Sequence, residues 1–170
     1  MSRYWRLIFL ILFIFLGFIV FYNLPKDKLK LIVFVAPECP ISEAILLNLK
    51  QISKEFPEEK LHIQLVVPGK LYARSEVDSF VNSNNIKFEV LIDSGALLVE
   101  KYGATITPEV FLISNNEVIY SGAIDDRAID NEIIKQSASE NYLYNAIKNT
   151  IEGKEVLIKK TKAVGCYIEL

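Results

Sequence analysis

Residues 30–56 read KLIVFVAPECPISEAILLNLKQISKEF, and this stretch decides the fold. Residues 30–35 form a continuous apolar run of strand length, which is typical of a strand buried on both faces of a parallel sheet. Across residues 41–56, apolar side chains recur at an approximately helical spacing. Pro40 suits the first turn of such a helix, because the N–H that proline lacks has no helical partner there. The stretch therefore predicts a strand, a turn that contains Cys39, and a helix.

The rest of the chain alternates strand and helix patterns. Asn115 and Asn116 indicate a tight turn between two strand patterns, which predicts a hairpin. Asp93 is a predicted cap of the helix that follows it, and Gly103 is the predicted stop of that helix. The order β-α-β-α-β-α-β-β-α predicts an α/β fold, a mixed central sheet with flanking helices on both faces, a parallel core and one antiparallel edge. The later predicted strands are residues 61–67, 88–92, 109–113 and 117–120, and the later predicted helices are residues 71–81, 95–102 and 139–151.

Length and composition limit the possible functions. A chain of 170 residues is expected to form one main domain. Its formal net charge of −2 gives no electrostatic case for a basic face, so we expect no nucleic-acid partner. The single histidine, His62, cannot build a multi-histidine metal site. The two cysteines, Cys39 and Cys166, are too few for a disulfide scaffold, but they suffice for one redox pair or for one nucleophile and an inert thiol.

The N-terminal segment predicts a membrane anchor. Residues 7–24 are nearly all apolar, and at 1.5 Å per residue they span about 27 Å, which is enough for one transmembrane helix. A cleaved signal peptide is the alternative, but the run exceeds the usual signal-peptide core and no small-x-small cleavage site follows it. The flanking basic residues leave the orientation open. The predicted organisation is a flank at residues 1–6, the anchor at 7–24, a linker at 25–29, a domain at 30–153 and a C-terminal tail at 154–170.

Cys39 is the candidate reactive residue. It lies between a predicted buried strand and a helix N-terminus, where unpaired N–H groups and the helix dipole stabilise a thiolate and lower the cysteine pKa. A buried structural cysteine is the alternative, because free cysteine is among the most buried residue types. Its neighbours Glu38, Pro40 and Ser42 indicate a turn rather than the apolar run typical of buried cysteines, which favours reactivity.

Three segments carry a resemblance to a known family. The segment FVAPECPIS, which ends at Ser42, resembles the thioredoxin-family strand–turn–helix with its C-x-x-C motif, except that Ser42 replaces the second cysteine. Thr107 and Pro108 resemble that family's cis-proline loop, which lies beside the reactive cysteine. Residues 103–127 and 161–168 resemble a membrane-associated redoxin subgroup. The chain is thus similar to redoxin-type members of the thioredoxin-like superfamily, of the alkyl hydroperoxide reductase/thiol-specific antioxidant kind, with a C-P-x-S motif.

The resemblance implies a membrane-anchored, thiol-dependent oxidoreductase. Cys39 would attack a disulfide or a peroxide, and Ser42 would hydrogen-bond its thiolate. Pro40, Thr107 and Pro108 would contact the substrate, which would be a protein thiol or disulfide partner or a peroxide. The resemblance implies no metal and no organic cofactor. This chemistry favours the extracytoplasmic, periplasmic side of the membrane for the domain.

The sequence also departs from the standard members of this superfamily. Ser42 cannot resolve a mixed disulfide. Ala36 stands where peroxiredoxins carry a threonine, three residues before the cysteine, which argues against a standard peroxidase site. Glu43 and the lack of any histidine after His62 argue against a copper chaperone. A non-catalytic binding or assembly module, tethered to the membrane, is therefore the alternative function.

Two further features have alternatives that the sequence leaves open. Cys166 is either an inert thiol of the tail or the thiol that resolves oxidised Cys39 by forming a disulfide, within one chain or within a dimer. The tail beyond Gly153 is long enough to cross a small domain, since extended chain covers about 3.3 Å per residue. Residues 125–127, Asp-Asp-Arg, form either a family-typical loop or a solvated turn. The oligomeric state also stays open.

Overall fold

A computed structural model describes residues 28–130 and 133–169 of the chain. The predicted flank at residues 1–6, the predicted anchor at 7–24 and most of the predicted linker lie outside the described residues. Among the helices of the described part, none is long and apolar enough to cross a membrane.

The described chain contains a strand-rich core with helices between the strands. Its strands are β1 (Leu29–Phe34), β2 (Leu61–Pro68), β3 (Glu89–Asp93), β4 (Ile106–Thr107), β5 (Glu109–Ser114), β6 (Glu117–Gly122) and β7 (Cys166–Tyr167). Its helices are α1 (Pro40–Ala44), α2 (Leu46–Glu55), α3 (Arg74–Ser83), α4 (Leu97–Tyr102) and α5 (Tyr142–Ile151).

The main sheet has five strands in the order β3-β2-β1-β5-β6. The β1–β2 and β2–β3 pairs are parallel, whereas β1–β5 and β5–β6 are antiparallel. The predicted α/β fold with a mixed sheet and flanking helices is confirmed. The antiparallel part is wider than the predicted single edge, because β5 pairs directly with the central strand β1. β4 and β7 form a second, two-stranded sheet. The sequence patterns predict neither of these two short strands.

The central strand β1 divides the core into two layers. Leu31 and Val33 point to the face that the α2, α3 and α5 helices cover, and Ile32 and Phe34 point to the face that α4 covers. All four side chains are fully buried, as the continuous apolar run predicts. Each such side chain contributes roughly 1.5–3 kcal/mol by leaving water. This burial fixes β1, and so fixes the turn that follows it at the end of the sheet.

The helix after β1 differs from the prediction, because residues 41–56 contain two helices rather than one. The break falls at Ile45, whose backbone stays in the right-handed helical region and whose N–H still bonds to the Ile41 carbonyl at 3.1 Å. The N–H of Leu49 in turn bonds to the Ile45 carbonyl at 3.1 Å. The α1 and α2 helices therefore follow each other almost without interruption.

Three helix starts also differ from the prediction, each for a local reason. α4 begins at Leu97 because Ala96 has a left-handed backbone with φ of 55°, and the Asp93 carboxylate caps the helix as predicted by accepting the N–H of Leu97 at 3.0 Å. α3 begins at Arg74, because the Glu76 side chain accepts the N–H of the preceding residue, Ala73, at 2.6 Å and so caps the helix there.

α5 begins at Tyr142 rather than Ser139, because the loop before it is bound to a carboxylate. The N–H groups of Ser139 and Glu140 donate to Asp126 at 2.8 and 3.0 Å. These hydrogen bonds replace the turn of helix that the sequence pattern predicts there. The same carboxylate accepts from the Lys135 ammonium at 3.0 Å, which ties this loop to the segment that follows β6.

Candidate active site

The candidate reactive residue Cys39 occupies the end of the turn after β1. It is the residue before α1, with an extended backbone, and its N–H donates to the Ala36 carbonyl at 3.1 Å. Its carbonyl accepts the N–H of Glu43 at 3.2 Å, as the first bond of the helix. The thiol therefore lies at the N-terminal end of a helical segment, as predicted, but its side chain is only 2% exposed.

Ser42 lies one helical turn further along and supports the thiol. The side chain is fully buried, and its hydroxyl accepts the Ala36 N–H at 3.1 Å, which fastens the turn. The hydroxyl and the backbone N–H of Ser42 also lower the pKa of the Cys39 thiol by favouring its thiolate form. Ser42 occupies the position of the second cysteine of a C-x-x-C motif. It stabilises the turn and the Cys39 thiolate there, but it cannot form a disulfide.

The loop that holds Thr107 and Pro108 lies against the same thiol. The peptide bond between these two residues is cis. The Thr107 carbonyl accepts the proton of the Cys39 thiol at 3.2 Å. Thr107 and Pro108 are buried, whereas Pro40, the first residue of α1, is exposed. The loop and the turn after β1 therefore form the two walls around the Cys39 sulfur.

The tail brings the second cysteine to this site. β7 pairs antiparallel with β4, so that Cys166 lies opposite Thr107 and Tyr167 lies opposite Ile106. The Sγ atoms of Cys166 and Cys39 are 2.8 Å apart, although 127 residues separate them in the chain. Both thiols are free. Of the predicted site residues, the structure thus groups both cysteines with the serine and the Thr107 loop.

A closed set of hydrogen bonds holds the tail on the domain before it reaches the site. The Thr161 hydroxyl accepts the Ala123 N–H at 2.9 Å and donates to the Tyr120 hydroxyl at 2.7 Å, which in turn donates to the Ala123 carbonyl at 2.5 Å. The tail backbone also bonds to Ser121 on both sides, through the Lys159 carbonyl and the Thr161 N–H, each at 3.0 Å. Because Tyr120 is fully buried, this attachment is part of the core.

The pKa values of the two thiols are shifted in opposite directions. Burial raises the pKa of Cys39, but hydrogen bonds from the Cys166 thiol and from the N–H and hydroxyl of Ser42 outweigh it, so the pKa of Cys39 lies below its ordinary value. Burial also raises the pKa of Cys166, and the hydrogen bond to Cys39 and the charge of Cys39 raise it further, to about 11. Cys39 is therefore the thiol that ionises first, and Cys166 is the one that stays protonated beside it.

Tyr72 is a partly buried residue that packs against the core cluster containing Cys39. Burial raises the pKa of Tyr72, and the negative charges of Glu38, Cys166, Cys39 and Glu169 raise it further. The Tyr72 phenol therefore stays protonated at neutral pH. The sequence patterns gave no sign of this residue, because it approaches the site from the segment between β2 and α3.

Other candidates from the sequence lie elsewhere or act structurally. His62 bridges Glu58 and Glu89 at 2.7 and 2.9 Å on the β2–β3 side of the sheet. Asp125 is only 8% exposed and accepts from Asn48 on α2 at 2.6 Å, so it ties its loop to the core instead of forming a solvated turn. Within residues 28–130 and 133–169, no group of three or more histidine, cysteine or carboxylate side chains is arranged to hold a metal ion.

Comparisons with known proteins agree with this architecture. The sequence matches the model of the AhpC/TSA family over residues 19–121. No curated protein has significant similarity to the chain. The chain is similar in structure to a hypothetical protein from Sinorhizobium meliloti, with a TM-score of 0.73 and 21% identity over 84% of this chain and 80% of that one. An uncharacterised conserved protein from Geobacillus kaustophilus has a TM-score of 0.74 and 18% identity, over 88% of this chain and 80% of that one. A putative thioredoxin from Neisseria meningitidis has a TM-score of 0.55 and 18% identity, over 75% of this chain and 77% of that one. This similarity identifies the shared fold as thioredoxin-like.

Proposed function

Because this chain belongs to the AhpC/TSA family, we propose that it is a thiol-dependent oxidoreductase in which Cys39 attacks a disulfide or a peroxide and Cys166 resolves the product. The observation that carries the proposal is the 2.8 Å distance between the two Sγ atoms. The opposite pKa shifts of the two thiols support the division of roles, since the nucleophile must be the thiolate.

In the first step the Cys39 thiolate attacks one atom of the oxidised substrate. With a peroxide, a sulfur–oxygen bond forms and the oxygen–oxygen bond breaks, so that Cys39 becomes a sulfenic acid and the leaving oxygen takes a proton to form water or an alcohol. With a disulfide, a new sulfur–sulfur bond forms and the other half of the substrate leaves as a thiolate. Cys39 is oxidised and the substrate is reduced in both cases.

In the second step Cys166 attacks the Cys39 sulfur. Two of the three causes that raise the Cys166 pKa, the hydrogen bond to Cys39 and its charge, disappear once Cys39 has reacted. Cys166 can then ionise more easily, displace hydroxide or the substrate thiolate, and form the Cys39–Cys166 disulfide. The proton from Cys166 goes to the leaving group. An external thiol must reduce this disulfide before the next turnover, because the chain has only two cysteines.

We further propose that the domain works attached to a membrane through residues 7–24, on the extracytoplasmic, periplasmic side. The apolar run of these residues supports the anchor. The side of the membrane follows from the chemistry, because a cycle that contains a disulfide intermediate suits an oxidising compartment.

A turnover assay of the full chain in detergent tests this proposal. The reduced chain receives hydrogen peroxide or a peptide disulfide, with dithiothreitol as the electron source, and substrate loss is followed over time. With dithiothreitol present, we expect the wild type to turn over at least one substrate and Cys39→Ser to turn over neither. Without dithiothreitol, Cys166→Ser should react once, in a burst that stops with Cys39 as a mixed disulfide or a sulfenic acid. No reaction of Cys39 with either substrate would contradict the proposal and favour the membrane-tethered binding module.

A further inference from the structure

The tail of the same chain lies directly against Cys39. β7 occupies the edge of β4 directly beside the reactive sulfur, and the Ile168 N–H extends this pairing by donating to the Thr105 carbonyl at 3.0 Å. With the tail in place, Cys39 is 2% exposed. A strand edge of this kind recognises an extended segment through backbone hydrogen bonds, and side-chain pockets add specificity. The tail therefore shows which sequence fits the edge.

Gly165, the residue before Cys166, fits the edge only because it has no side chain. An added Cβ would lie 2.0 Å from the Thr107 oxygen, 2.7 Å from the Thr107 carbonyl carbon and 3.0 Å from Cδ of Pro108. These atoms belong to the backbone and to a proline ring, so they cannot move aside as a flexible side chain would. Gly165 does not have a positive φ, so the close approach, and not the backbone conformation, requires glycine here.

The residue after Cys166 has no such restriction. Tyr167 is 80% exposed. The two neighbours of the cysteine thus differ sharply, since one touches the wall of the site and the other projects into solvent. Because side chains on a paired strand have fixed positions once the register is set, any segment that places a cysteine on Cys39 in this register meets the same wall at the preceding residue.

We propose that the β4 edge selects a glycine–cysteine pair, so that the protein disulfides exchanged by Cys39 are those whose cysteine follows a glycine in an extended segment. This inference rests on the proposed function and adds the class of its protein substrate. The tail is the chain's own copy of such a segment, and a partner has to displace it to reach Cys39. In the exchange, the Cys39 thiolate forms a bond to the partner's cysteine sulfur, the partner's disulfide breaks, and its other sulfur leaves with the electron pair and takes up a proton.

The test uses the full chain in detergent with the substitution Cys166→Ser, in which Cys39 is the single thiol. Three peptides based on the tail sequence TKAVGCYI carry their cysteine as a mixed disulfide with 2-thiopyridine, so that reaction with Cys39 releases the coloured thione. The first has the tail sequence, the second has alanine in place of the glycine, and the third has alanine in place of the tyrosine. Each rate is divided by the rate of the same peptide with free cysteine, which removes differences in intrinsic reactivity.

We expect the glycine peptide to react about 5- to 150-fold faster than the alanine-for-glycine peptide, the range that corresponds to forcing an extra carbon into a packed site. The alanine-for-tyrosine peptide should react within about twofold of the tail sequence, since that side chain is exposed. Equal normalised rates for the glycine peptide and its alanine counterpart, whether both are fast or both are slow, overturn the inference. The proposed function fails separately, if Cys39 of the wild type does not react with peroxide or with any disulfide.

Discussion

Replacement of Gly165 by alanine should move Cys166 away from Cys39 without changing either thiol. The added Cβ would lie 2.0 Å from the Thr107 oxygen. An ordinary carbon–oxygen contact is about 3.3 Å or longer, so the tail has to retreat by more than about 1 Å. Overpacking of this kind costs about 1–3 kcal/mol, which corresponds to roughly a 5- to 150-fold shift from the docked tail to the released tail.

The assay is an equilibrium between the full chain and a glutathione redox buffer. The ratio of the Cys39–Cys166 disulfide to the reduced dithiol gives the effective concentration of Cys166 at Cys39, and Gly165→Ala should lower this concentration by the same factor. Gly95→Ala is the matched control, because a Cβ at Gly95 would meet only Leu97, at an ordinary 3.6 Å. An effective concentration for Gly165→Ala within twofold of the control would refute the close contact on which the geometry of the site depends. Thermal unfolding of both variants verifies that they are folded.

Three further substitutions test the electrostatics and the attachment of the tail. Ser42→Ala, made in the Cys166→Ser background, should raise the pKa of Cys39, because one of the groups that lower this pKa is lost. The pH dependence of Cys39 alkylation measures the change, and an unchanged or lowered pKa contradicts this role of Ser42. Cys39→Ser should lower the pKa of Cys166 from about 11 towards its ordinary value, so that Cys166 becomes alkylated at lower pH; a pKa that stays near 11 would show that burial alone raises it. Thr161→Val should lower the effective concentration of Cys166 about 5- to 150-fold in the same redox buffer, because the Tyr120 hydroxyl and the Ala123 N–H lose their hydrogen-bond partner. An unchanged effective concentration would mean that the β4–β7 pairing alone docks the tail.

Local patterns were sufficient to predict the central elements of the fold. The apolar run of β1 reflects burial on both faces, which a strand in the middle of a sheet experiences whatever its partners are. Asn115 and Asn116 adopt φ values of 50° and 63°, and they form the predicted hairpin turn because asparagine tolerates this conformation. Asp93 caps α4 and Gly103 ends it, as predicted, because both interactions act within a few residues.

The arrangement of the tail could not be predicted in the same way. β7 contains only two residues. Its Cys166 is hydrogen-bonded to Thr107 of β4, which lies 59 residues earlier in the chain. A segment this short carries no periodic signal, and its register depends on the space beside Gly165 and on the hydrogen bonds of Thr161. The sequence therefore left Cys166 open between an inert thiol and a resolving thiol, and only the tertiary structure brings it to Cys39.

The most direct test of the account is to map the thiols of the full-length reduced chain after one equivalent of hydrogen peroxide. Mass spectrometry of the intact chain and of its proteolytic peptides identifies the products. We predict that most of the chain contains an intramolecular disulfide between Cys39 and Cys166, with both thiols lost together. A chain in which Cys39 is found as sulfenic acid or as an adduct with an external thiol, while Cys166 stays free, would contradict the account.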